Sequence, residues 1–151
     1  MADYYIWKFL HVMMFVFWIG TDLGVFLSAK KSTDPTLSFG TRASLMHTAL
    51  RIELLPRTMW KAALPLGVML MDSMGLFDFG TVGLTLTWLF SIGWWAISMY
   101  GAWHYDKPIG HRLTRIDGVL TGIVGIALVI VAAFSLSGHG PIPVDASWLS
   151  W

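Results

Sequence analysis

Long apolar stretches alternate with short polar segments along this chain of 151 residues. Each apolar stretch approaches the ~20 residues that an α-helix needs to cross the hydrocarbon core of a bilayer. Because backbone groups in lipid must be hydrogen-bonded within their own helix, the pattern predicts an all-α integral membrane four-helix bundle. The chain is expected to form a single domain over residues 1–151, with spans at about 5–28, 58–76, 82–103 and 119–137.

A shorter helix is expected between the first and second spans. Over residues 37–55 the apolar positions recur at roughly helical spacing opposite polar ones, which predicts an amphipathic cytoplasmic helix. Asp34-Pro35 is expected to begin it, since proline is tolerated in a first turn and aspartate caps free amides. Pro56 should break this helix before the second span, and Pro65 should kink the span itself.

The basic residues predict how the chain is oriented. Nine of the ten Lys and Arg residues fall in two connections, which should therefore be cytoplasmic, with both termini outside. We expect a multi-pass protein of the bacterial inner (plasma) membrane in contact with the lipid bilayer. The net charge of +1, with no continuous basic patch, argues against a nucleic-acid partner. The nine residues are Lys30, Lys31, Arg42, Arg51, Arg57 and Lys61 in the first connection, and Lys107, Arg112 and Arg115 in the second.

Histidine is the principal candidate ligand, because the chain contains no cysteine. Haem b in a helical bundle needs an axial imidazole, an apolar slot and cations near its propionates. His11 lies one helical turn from Phe15 and two from Trp18, which could supply the slot. The predicted metal ligands are His11, His47 and His104, and the residues predicted to hold propionates or an anionic substrate are Arg51, Arg57 and Arg112.

Each of these polar residues also has a purely structural interpretation. An isolated histidine in a membrane helix can bond to a neighbouring helix, which would account for His11 without a ligand. Asp22 and Asp72 lie within apolar segments, so they are expected either to relay protons or to pair with basic and hydroxyl groups. Arg51 and Glu53 are expected to form a surface pair on the amphipathic helix.

Taken in order along the chain, these features resemble HemJ-type protoporphyrinogen IX oxidases and, more loosely, small membrane proteins of the copper-resistance CopD type. The resemblance lies in the first helix and around Arg57, with further similarity near the end of the third helix and at the C-terminus. The residues that carry it are Tyr4-Tyr5, Lys8, His11, Trp18, Arg57, Pro65, Tyr100, His111-Arg112 and the closing segment IPVDASWLSW.

The resemblance implies a four-helix protein that binds haem b, oxidises a porphyrinogen and passes electrons to the membrane quinone or a respiratory chain. It implies His11 as a haem ligand. The chain departs from the family where a lysine of the third helix is replaced by Phe90, and where a Tyr-His pair reads Tyr100-Gly101. An Asn-Glu pair entering the fourth helix reads Arg115-Ile116, with Asp117 one place on.

Two other classes of function remain open on the sequence. Glycine-rich and tryptophan-rich helix faces suit a non-catalytic or electron-transferring membrane subunit of a larger complex, or a homo-oligomer. A small transporter for copper or a proton-coupled solute would use the membrane aspartates and the nine methionines, which are scattered along the chain.

Overall fold

The structure is a computed structural model that describes residues 2–142. These residues contain five α-helices. The closing segment that contributes to the family resemblance lies outside these residues from position 143 onward. The helices are α1 (Ala2–Ser32), α2 (Phe39–Ile52), α3 (Leu54–Ser73), α4 (Gly80–Trp103) and α5 (Pro108–Leu136).

Three of these helices, α1, α4 and α5, are long and apolar enough to cross a membrane. Helix α3, at the position predicted for the second span, is not among them, because Arg57, Lys61 and Asp72 lower its hydropathy. It is also the most enclosed helix, and five of its residues are buried: Pro56, Lys61, Pro65, Leu66 and Val68. A helix shielded by its neighbours can hold charged groups that would be costly in contact with lipid.

The helices pack in a chain of neighbours. Helix α3 packs against α1 on one side and α4 on the other, and α5 packs along α4. Helix α2 lies mainly against α1 and touches α3 over a smaller area. The apolar side chains of α1 and α5 are largely exposed, which is consistent with contact with lipid.

The boundary predicted for α2 is wrong at its N-terminus. The helix begins at Phe39, and the hydroxyl of Ser38 caps it by accepting a hydrogen bond from the Thr41 amide. Asp34 instead closes the preceding turn, where it accepts hydrogen bonds from Lys31 Nζ (2.8 Å) and the Thr36 amide (2.9 Å). These bonds hold the pKa of the Asp34 carboxyl well below its usual range, and the bond from Lys31 has the largest effect.

The break between α2 and α3 has a simple origin in Pro56. Proline has no N–H, so it cannot donate to the carbonyl of Ile52 four residues earlier, and α2 ends at Ile52. Helix α3 begins at Leu54 with Pro56 in its first turn, where a missing N–H has no consequence. The predicted break is therefore present, and α3 continues through Pro65.

Helix α5 starts eleven residues earlier than the span predicted at position 119. Pro108 occupies its first turn. Gly110 then passes so close to the end of α4 that a Cβ atom placed there would overlap the His104 carbonyl oxygen. About one turn earlier in α4, Gly101 faces Thr114 of α5. A Cβ atom placed on Gly101 would lie 3.2 Å from the Thr114 amide nitrogen. This tight turn brings the polar first half of α5 against α4.

Candidate functional site

His11 lies at the wall of an apolar cavity of about 320 Å³ between α1, α3, α4 and α5. Its ring contacts Phe15 edge to face, with ring centroids 5.2 Å apart. Gly67 of α3 faces the imidazole, since a Cβ atom there would lie 3.5 Å from His11 Cε1. The His11 Nδ1 atom is buried and has no hydrogen-bond partner among residues 2–142. A buried polar atom without a partner is uncommon in folded proteins and calls for a physical explanation.

Aromatic rings form much of the cavity wall. Trp18 and Trp60 lie with ring centroids 4.9 Å apart, and Phe15 stacks on Trp18 at 5.9 Å. The Trp60 Nε1 atom is, like His11 Nδ1, buried and unpartnered in the described part of the chain. The cavity thus combines flat apolar walls with two unsatisfied nitrogens, a composition typical of ligand sites.

A second apolar space adjoins the first. It measures about 770 Å³ and lies between α3, α4 and α5. The two spaces share wall residues, so they form neighbouring compartments that could together hold a ligand longer than either alone. The shared residues are Leu64, Val68, Met71 and Leu128.

Behind the cavity lies a buried ionic network centred on Asp117 of α5. The Asp117 side chain is only 7% exposed and accepts hydrogen bonds from Trp94 Nε1 (2.7 Å) and Ser98 Oγ (2.9 Å) of α4. Lys61 Nζ of α3 lies 3.1 Å from Asp117 Oδ1, and Arg57 Nη1 lies 3.3 Å from Oδ2. We call this set the Asp117 network: Glu53, Arg57, Lys61, Trp94, Ser98 and Asp117.

Arg57 links the buried end of the network to its outer end. Its Nε and Nη2 atoms both donate to Oε1 of Glu53, at 2.9 and 2.6 Å, while Nη1 reaches Asp117. The surface pair expected between Arg51 and Glu53 is therefore wrong. Residues four apart on a helix face each other, as Glu53 and Arg57 do, whereas residues two apart do not.

Lys61 is the residue whose predicted place differs most from the structure. The charge pattern assigned it to a cytoplasmic connection, yet it lies inside α3 and is only 4% exposed. Its ammonium group sits between the Asp117 carboxylate and the ring of Trp94, 5.1 Å from the ring centroid. It is a buried partner of Asp117 rather than a topology signal.

Trp94 connects the network to the cavity. It is 2% exposed, its indole donates to Asp117, and its ring forms part of the wall of the His11 cavity. A change in the network can therefore reach the cavity through this ring.

The other predicted site residues lie elsewhere. His47 and Arg51 are exposed on α2, and Arg112 is exposed near the start of α5. His104 caps the end of α4, where its ring stacks on Tyr100 at 4.2 Å and its Nδ1 atom lies 3.1 Å from the Tyr100 carbonyl oxygen. None of these four residues lines the His11 cavity.

His104 and His11 lie at different levels along the axis of α5. The His104 backbone meets α5 at Gly110, whereas the His11 cavity meets α5 at Val124, fourteen residues later. At 1.5 Å per residue this is roughly 21 Å, too far for both imidazoles to ligate one iron. The structure therefore leaves His11 alone at the cavity.

The membrane aspartates have different surroundings. Asp72 accepts a hydrogen bond from the Phe79 amide at 3.2 Å and so closes the connection between α3 and α4. Asp22 is exposed on α1. No described residue donates a hydrogen bond to it or pairs with it, so of the two aspartates only Asp72 has a protein partner.

No protein-family model, curated protein or solved structure matches this chain.

Proposed function

We propose that this protein is a membrane haem b redox protein whose cofactor occupies the His11 cavity. The observation that carries the proposal is the buried, unpartnered Nδ1 atom of His11 at the wall of an aromatic cavity. The protein would cross the membrane four times as a helical bundle, with α3 as the second span, shielded from lipid by its neighbours. Bound haem b would supply one-electron exchange, and the chain's own residues would hold it and set its surroundings.

The residues present fit haem b through His11, which would hold the iron. His11 supplies an imidazole with no competing hydrogen bond in the described chain, and Gly67, without a side chain, lets α3 pack against this imidazole. The Trp18–Trp60 pair and Phe15 would contact a flat macrocycle and exclude water. Met71 also lines the cavity, and its thioether would be a further group able to hold the iron.

The three arginines predicted to hold the propionates do not line the His11 cavity. Arg57 already donates to Glu53 and Asp117, and neither Arg51 nor Arg112 lines the cavity. The unpartnered Trp60 Nε1 atom is the donor that the cavity itself offers. The proposal therefore depends on His11 and the aromatic wall, not on these three arginines.

The absorbance spectrum of the purified protein tests the proposal. We expect a reduced-minus-oxidised haem b band in the wild type and its loss by more than about tenfold in His11→Ala, since even residues behind a ligand change metal affinity 10–100-fold. His47→Ala and His104→Ala are matched controls that remove a histidine outside the cavity, and both should keep the band. Met71→Leu should keep haem but shift the band if the thioether is a ligand.

An unchanged band in His11→Ala, or no band in a folded wild type supplied with haem, would sink the proposal. Porphyrinogen oxidation, which the family resemblance implies, is the favoured chemistry. Formation of fluorescent porphyrin from porphyrinogen by the haem-loaded protein would support it. A haem-loaded protein that forms none would instead act in electron transfer, to quinone or within a respiratory complex.

A non-catalytic role in a larger complex is the second candidate. The long exposed apolar faces of α1 and α5 favour it, because partner helices could cover them as readily as lipid. A subunit without haem gives no haem b band, whereas a haem-carrying subunit gives the band but forms no porphyrin from porphyrinogen.

Location in the bacterial inner membrane, with both termini outside, completes the proposal. Its support is the bias of basic residues to the α1–α2–α3 and α4–α5 connections. Reporter fusions at the C-terminus and in the α4–α5 turn should give opposite results. A C-terminal reporter active only in the cytoplasm would reverse the assignment.

A further inference from the structure

Asp22 is an exposed carboxylate in the middle of an apolar helix. It lies in α1, one of the helices long enough to cross a membrane, eight residues before the basic end at Lys30. Eight residues correspond to roughly 12 Å of helix. No residue between 2 and 142 donates to Asp22 or forms an ion pair with it, since the ion pairs described lie elsewhere. A carboxylate at such depth is costly unless a counter-charge meets it.

A cleft of about 160 Å³ opens beside Asp22, between α1, the α2–α3 junction and α5. It is separate from the His11 cavity, although Trp18 and Trp60 line both. Four charged side chains also line the cleft, together with Pro56 and Thr121. The charged residues are Asp22, Glu53, Arg57 and Lys61.

The hydrogen bonds of the cleft leave carboxylate oxygens available to a ligand, whereas both of its cationic side chains are already paired. Arg57 directs all three of its nitrogens to carboxylates, and Lys61 Nζ lies 3.1 and 3.4 Å from the two Asp117 oxygens. Both bonds from Arg57 to Glu53 end on Oε1, so Oε2 stays free, as do both oxygens of Asp22. Asp117, which does not line the cleft, is the third carboxylate bound to Arg57 and Lys61. Counted with Asp22 and Glu53, three carboxylates accompany these two cations, so the whole group carries one excess negative charge.

We propose that this cleft binds an organic ammonium group, as carried by the headgroup of phosphatidylethanolamine or by a free amine. The Asp22 carboxylate and Glu53 Oε2 accept its hydrogen bonds, and the cleft is also lined by the indoles of Trp18 and Trp60, a ring type that attracts cations. The added positive charge neutralises the excess negative charge of the three carboxylates and two cations. The depth of Asp22, within reach of the membrane end, suits a lipid headgroup. This site does not depend on haem binding.

Native mass spectrometry of the full chain, released from nanodiscs of equal phosphatidylethanolamine and phosphatidylglycerol, tests the site. We expect the wild type to retain the ethanolamine lipid, and Asp22→Asn to reduce that retention about tenfold, consistent with a carboxylate contact plus cation–π contacts. Asp106→Asn is the matched control, because it removes an exposed carboxylate on the same predicted side of the membrane. It should retain the lipid as the wild type does.

Free ethanolamine distinguishes the source of the ammonium group and needs no variant. Displacement of the retained lipid from the wild type supports a shared ammonium site, even if Asp22→Asn fails to fold. Thermal stabilisation by ethanolamine in phosphatidylglycerol-only nanodiscs, without lipid retention in mixed ones, assigns the cleft to a soluble amine. The proposal is overturned if the wild type shows no preference for the ethanolamine lipid and no response to ethanolamine. Equal retention by wild type and a folded Asp22→Asn overturns it too.

Discussion

Replacing Asp117 with alanine is expected to lower the free energy of unfolding by about 3–5 kcal/mol, the range for breaking a buried ion pair by removing one partner. The change leaves the buried ammonium of Lys61 without its carboxylate and removes the acceptor of Trp94 Nε1 and Ser98 Oγ. Arg57 keeps its bonds to Glu53, so the loss falls mainly on the buried end of the network.

Unfolding of the purified protein in mixed micelles, followed by circular dichroism against increasing sodium dodecyl sulfate, measures this loss. Asp106→Ala removes an exposed carboxylate and should change the unfolding free energy by less than about 0.5 kcal/mol. The double variant Lys61→Met, Asp117→Leu should recover much of the loss, because it removes both charges together. If Asp117→Ala were as stable as the wild type, Asp117 would not be the centre of the packing between α3, α4 and α5.

The sequence predicts the helices well where hydropathy alone decides them. Helices α1 and α4 match the first and third predicted spans, and their apolar runs leave few alternatives. The start of α5 is missed, because residues 108–118 are polar enough to resemble a connection, although they pack on α4. The start of α2 is missed because Asp34 can cap either a helix or a turn, and only its bonds to Lys31 and Thr36 decide between them.

The Asp117 network is missed for a different physical reason. Lys61 and Asp117 are 56 residues apart, and no local pattern states that they meet. Counting lysine and arginine near span ends treats every basic residue as solvated, so a lysine that faces the interior of the bundle is miscounted. One signal was present: an aspartate and a lysine within largely apolar helices each need a partner of opposite charge.

Trp94 belongs both to the wall of the proposed cofactor cavity and to the Asp117 network. Trp94 faces the proposed cofactor cavity and is held in place from behind by Asp117 and Lys61. His11 could be identified from the sequence because an intramembrane histidine stands out. The wall around it could not, since Trp60, Gly67 and Trp94 come from helices whose facing sides are set only by packing.

Replacing Gly110 with alanine adds a single methyl group. We expect this change to lower the free energy of unfolding by about 3 kcal/mol, at the upper end of the range for overpacking. The added Cβ would overlap the backbone carbonyl of His104 and approach the Tyr105 amide nitrogen to 2.9 Å. These are backbone atoms of the tight turn and cannot move aside as a flexible side chain would, so α5 must shift along α4. Such a shift would also pull Asp117 away from Trp94 and Ser98.

Gly118→Ala is the matched control, because Gly118 lies in the same helix with nothing within 4 Å of its Cβ position. There the substitution should leave stability unchanged or raise it by up to about 1 kcal/mol, since alanine favours the helix over glycine. Both variants are measured by the same sodium dodecyl sulfate titration. Equal stability of the two would mean that the α4–α5 turn is looser than described. A loss of stability confined to Gly110→Ala would show that the close approach of α5 to the end of α4 is required for their packing.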